Sequence, residues 1–76
     1  MKARYWIEPD VTAAVSLDGG PFEPYTTYRD MFFNAPTEET ADSFVFADGN
    51  WRMRVAKALV WRYWWDGSEG HNERCG

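Results

Sequence analysis

Seventy-six residues make one small domain, of a size that buries only about 60–65% of the surface its unfolded chain exposes. Fourteen aromatic residues, five of them tryptophan, supply the dense core that this demands, since each can bury about 150–250 Å². The net charge of −4 disfavours general binding to nucleic acid or anionic membrane, because affinity for either rests on neutralising phosphate. The single cysteine, Cys75, excludes an internal disulfide, and no apolar run is long enough for a signal peptide or a membrane span, so a cytoplasmic setting is expected.

Taken in order, residues 2–8 are short and aromatic and read as a strand that Pro9 and Asp10 end. Residues 11–17 are expected to be its partner. Asp18-Gly19-Gly20-Pro21 marks a turn, and Pro21 and Pro24 keep the stretch to Tyr25 irregular or extended. Thr26 then offers a cap, and Tyr28, Met31 and Phe32 at helical spacing predict a short helix over 27–33 that breaks at Asn34-Ala35-Pro36. Thr37 precedes Glu38, Glu39 and Asp42, and acids in a first turn complement the helix dipole, so a second short helix is expected over 38–43.

Asp48-Gly49 between alternating apolar residues is a strong hairpin signal. With those two as the loop, Phe46 opposes Trp51 and Phe44 opposes Met53. Phe44, Phe46, Trp51 and Met53 then share one face, while Val45, Arg52 and Arg54 share the other. After a strand to about Val55, residues 56–59 start a helix that ends at Asp66 and Gly67. The competing reading is a third strand, because Lys57, Leu59, Trp61, Tyr63 and Trp65 alternate through a run of strand formers. Residues 68–76 are polar and read as a flexible tail behind a domain of residues 1–67. The expected fold is therefore α+β: a small antiparallel sheet with one or two short helices.

Charge is divided along the chain. Residues 8–48 hold nine acids and one base, Arg29, whereas residues 51–65 hold four bases and no acid. The acidic stretch favours a basic protein partner, with Glu38, Glu39 and Asp42, joined by Glu23 and Asp30, as its candidate contacts. The plain alternative is that these acids solvate the surface and pair with the basic segment. In that segment Arg52, Arg54, Lys57 and Arg62 interleave with tryptophan and tyrosine, the residue types that neutralise phosphates and stack bases. They are the contacts of the alternative, a nucleic-acid-binding module. A surplus of aromatics leaves room for a homodimer or a self-assembling component as well.

Nothing points to catalysis. His71 is the only histidine, and with Cys75 four residues on it makes half a metal site at most, so no metal, cofactor or catalytic residue is expected. The glycines at 19 and 20 lead into Pro21 rather than a helix N-terminus, so they form no phosphate cradle. In its whole profile (short, single-domain, acidic, aromatic-rich, poor in cysteine) the chain resembles the small phage-encoded inhibitors of the anti-CRISPR type. That resemblance involves no motif and carries over no residue. It implies stoichiometric blocking of a host nucleic-acid-handling complex by an acidic surface set against a basic one.

Overall fold

The computed structural model describes residues 3–76. They form nine strands: β1 (Arg4–Ile7), β2 (Thr12–Leu17), β3 (Glu23–Thr26), β4 (Met31–Phe33), β5 (Glu38–Glu39), β6 (Ser43–Asp48), β7 (Trp51–Ala56), β8 (Trp61–Trp65) and β9 (Gly70–Arg74). A single 3-10 turn, Lys57–Leu59, is the only helical element among them. All pairings are antiparallel, in a four-stranded sheet ordered β4-β1-β8-β9 and a five-stranded sheet ordered β3-β2-β7-β6-β5.

Both sheets arise from folding one long hairpin across its middle. Ile7 stands opposite Met31 and Thr12 opposite Thr26, so each arm spends four residues, 8–11 and 27–30, in crossing between sheets. Pro9 offers no N–H to a ladder, and Asp10 takes a φ of +64°, which bends that arm sharply. Thr27, 1% exposed, staples the corner. Its hydroxyl donates to the Glu8 carbonyl at 2.7 Å and accepts from the Val11 N–H at 2.9 Å. Its backbone exchanges bonds with Asp10 and Val11. Strands β7 and β8 turn the same corner through the 3-10 turn and the buried Val60. Strands that switch sheets at a bend are the usual way to make such a corner.

The inner faces meet over Ile7, Phe44, Phe46, Met53, Val55 and Val60. Phe33 of β4 stacks on Phe46 of β6 at 4.5 Å, and Tyr5 of β1 meets Phe44 edge-on at 5.7 Å, so the aromatic contacts tie one sheet to the other.

Several expectations are corrected. The fold is a β-sandwich rather than α+β. The helix expected over 27–33 is replaced by the Thr27 corner and β4, because Phe32 and Met31 alternate between faces instead of sharing one. Over 38–43, Thr37 does not cap a helix; its N–H and hydroxyl both reach the Val45 carbonyl, which extends β5 along β6. Residues 57–66 follow the strand alternative: Lys57–Leu59 closes one tight turn and the tryptophan-rich run pairs as β8. Residues 11–17 form a strand as expected, but it pairs with β3 and β7, not β1.

The residues 68–76 expected to fray instead supply β9, whose backbone satisfies the free edge of β8, and Cys75 packs against the core. In the hairpin, Asp48 pairs with Trp51 and Phe46 with Met53, so the loop is Gly49-Asn50 rather than Asp48-Gly49. Gly49 has a φ of +64° and Asn50 is not in the positive region, as in a turn with glycine at its first central position. This two-residue change of pairing leaves each side chain on its expected face.

Candidate binding face

Alternation along β1 sends Tyr5 and Ile7 into the core and Arg4 and Trp6 outward. The same period along β4, β8 and β9 produces a row that crosses the whole four-stranded sheet on its outer side. Register places Phe32 beside Trp6, Trp6 beside Trp61 and Trp61 beside Arg74. The rings stand parallel: Trp6 stacks on Phe32 at 6.4 Å and on Trp61 at 5.6 Å, with the Arg74 guanidinium 4.4 Å above Trp61 at the far end. A second row, Arg4, Tyr63 and Asn72, runs alongside across three strands.

The indoles of the first row are fixed by their N–H groups. Trp61 Nε1 donates to Glu8 Oε1 at 2.6 Å, and Trp6 Nε1 donates to Asn72 Oδ1 at 3.2 Å. Arg74 donates to the Ala58 carbonyl at 2.7 Å and stands 3.9 Å from the Glu8 carboxylate. Arg4 reaches only the Phe33 carbonyl, at 3.4 Å, and makes no ion pair among the described residues. Between the rows lies an open slot of about 400 Å³, lined by Arg4, Trp6, Phe32, Tyr63 and Asn72. Phe32, Tyr63 and Trp65 stay 62%, 43% and 52% exposed, a concentration of apolar surface that a core has no use for.

The acids expected to contact a partner do not converge. Glu38 is held by Arg52 at 2.9 Å and Glu39 by Lys57 at 2.6 Å, which neutralises two of the five. Asp42 lies close by, in the β5–β6 turn, where its carbonyl accepts from the Lys57 N–H. Glu23 sits on the edge strand β3, and Asp30 lies at the corner, beside a depression shared with Arg29 and Asp48.

The four bases expected to bind phosphate are also engaged. Arg52 and Arg54 lie beneath Phe22, at 5.2 and 4.3 Å from its ring, on the outer side of the five-stranded sheet. Lys57 lies over Phe44, and Arg62 pairs with Glu73 at 2.7 Å. The juxtaposition of aromatic and basic groups therefore falls on Arg4, Trp6, Phe32, Tyr63, Asn72 and Arg74 instead. One signal in the sequence marks it: Trp61, Tyr63 and Trp65 at period two, which puts three large rings on one face once 61–65 is a strand.

His71 and Cys75 do not form a pair. His71 stacks on Trp64 and bonds Asp66, while Cys75 lies on the core side, where burial pushes its thiol pKa up. Asp66, Glu69 and His71 bring ligand atoms within 4.8 Å of one another, but the geometry is that of a tight turn. Asp66 Oδ1 accepts the N–H groups of Ser68 and Glu69, both at 2.9 Å. The His71 ring and then those N–H groups hold the Asp66 carboxyl well below the usual carboxylate range. Among the described residues, no helix is long and apolar enough to cross a membrane. No protein-family model, curated protein or solved structure matches the chain.

Proposed function

We propose that this chain is a small binding domain that acts by stoichiometric association and holds its ligand on the outer face of the four-stranded sheet. The observation that carries this reading is the Phe32-Trp6-Trp61-Arg74 row with its exposed neighbours Tyr63 and Trp65. Burying a ligand against those rings removes apolar area from water at about 25 cal/mol per Å², while the fixed indoles lose little freedom on binding.

A second reading keeps the inhibitor class: Glu23, Asp30 and Asp42, none of them in an ion pair among the described residues, engage a basic surface on a host protein. One comparison separates the two. The immobilised chain is challenged with a cell extract beside two triple variants, one with Phe32, Tyr63 and Trp65 changed to Ser and one with Glu23, Asp30 and Asp42 neutralised to Gln and Asn. The first reading expects what the wild type retains to be lost by the aromatic variant and kept by the neutralised one. The reverse pattern overturns it in favour of the acidic surface.

A further inference from the structure

Gly70 has a specific effect on the slot between the two rows. A Cβ there would lie 2.8 Å from the Tyr63 hydroxyl oxygen and 3.0 Å from its ring. Tyr63 therefore leans across β9 onto Gly70, which pairs with Trp65 and so lies on the side away from Trp61. The rows are two residues apart along the strands, or about 6.7 Å. That backbone spacing is near twice the contact distance of about 3.5 Å between stacked carbons, and the lean of Tyr63 toward Gly70 adds to it at the ring, which makes the gap one of the size a planar ring needs. The volume of about 400 Å³ falls within the range of small-molecule sites.

The polar lining of the slot is biased toward donors. The Asn72 carbonyl oxygen is occupied by Trp6 Nε1, which leaves its NH₂ group to donate. Arg4 brings a guanidinium without a carboxylate partner. No acid lines the slot; Glu8 is taken by Trp61 and Arg74, and Asp30 and Asp48 line the adjoining depression that Arg4 also borders. A matching ligand is a flat ring with acceptor atoms on its edge and a negative charge one linker away.

We propose that the slot binds a nucleotide, with its base inserted between Trp6 and Tyr63, its edge acceptors on Asn72 and its phosphate on Arg4. This rests on the reading of the outer sheet face as the binding face. A base is favoured over a phosphorylated tyrosine because a phenyl ring offers the Asn72 amide nothing to accept its hydrogen bond. The acidic chain repels long nucleic acid, so contact is confined to one or a few nucleotides and weakens with salt. A free nucleotide and a residue within a single strand present the same chemistry.

The test follows the indole N–H signals by NMR while uridine monophosphate, uridine, a thymidine tetranucleotide or a phosphotyrosine peptide is added at low salt. Saturable movement of the Trp6 signal is expected with the nucleotide, with Trp51 unmoved as a control on the fold. Uridine should bind at least about tenfold more weakly, which is about 1.4 kcal/mol. Arg4→Gln and Gly70→Ala should each weaken the nucleotide by a similar factor, the first by removing the charge and the second by pushing Tyr63 back over the slot.

A tetranucleotide that binds more tightly than the mononucleotide supports a single-strand ligand, and equal affinity supports a free nucleotide. Binding of phosphotyrosine in preference to the nucleotide overturns the ligand class. So does a Trp6 signal that no nucleotide moves at millimolar concentration. If the extract comparison still shows loss with the aromatic variant, the binding face stands without this ligand.

Discussion

Thr27 shows how much one side chain can decide. At 1% exposure, its hydroxyl serves two backbone groups of the opposite arm, Glu8 C=O and Val11 N–H, where Pro9 and Asp10 interrupt the ladder. Thr27→Val keeps the shape and leaves both groups unpaired in the corner, so a loss of about 2–4 kcal/mol is expected from denaturant midpoints. Thr27→Ser keeps the hydroxyl and should lose less than half as much. Asp66 is a residue-scale case with a pH signature. Its folded carboxyl is held below the unfolded value by His71 and by the Glu69 and Ser68 N–H groups. The stability it contributes is therefore complete above about pH 4 and lost as pH falls below that. Asp66→Asn should flatten the fall in urea midpoint between about pH 4 and pH 2; an unchanged slope would show that the turn contributes nothing.

Among the elements, β9 departs furthest from expectation. Its residues, Gly70–Arg74, have no apolar side chain, and polarity with two flanking glycines is what made 68–76 read as a tail. What they pair with is a backbone edge, and no side-chain pattern records that need. Deleting 68–76 strips five paired residues from β8 and removes the Cys75 N–H bond to the Val60 carbonyl. A cost of about 2 kcal/mol or more lowers the melting temperature by about 8–16 °C in a domain of this size. A truncated chain that melts with the full one would return the segment to a tail. The hairpin was legible for a different reason. Phe44, Phe46, Trp51 and Met53 must share a face in any workable register, but two registers two residues apart satisfy that pattern equally. What separates them is the residue beside the glycine: an Asp48-Gly49 loop asks for a positive φ at Asp48 as well, a Gly49-Asn50 loop asks for it at Gly49 alone, and Asp48 does not have it. The short helices failed because 27–33 and 38–43 have too few residues for periodicity to outweigh pairing with β1 and β6. The candidate face was hidden for a related reason. Arg4, Trp6, Phe32 and Asn72 come from three distant stretches, and only the order β4-β1-β8-β9 brings them together.

At the scale of the molecule, the aromatics divide into two populations by sheet face. The surface of 4996 Å² is close to the roughly 4,800 Å² expected for a folded chain of 8.9 kDa. The outer rings are therefore not the mark of a loosely packed domain; they are additional to a core that closes without them. Phe46, 1% exposed and in contact with Tyr5, Phe33 and Phe44, belongs to the first population. Phe46→Ala should cost about 3–5 kcal/mol, much of what a domain this small possesses. Phe32 lies on the outer side of the other sheet and is 62% exposed, with only the face of Trp6 to lose. Phe32→Ser should leave the denaturant midpoint within about 0.5 kcal/mol of wild type while weakening whatever the outer face retains. If Phe32→Ser proved as destabilising as Phe46→Ala, the Phe32-Trp6-Trp61-Arg74 row would be a structural ladder across the sheet, and the binding face would have to be sought elsewhere.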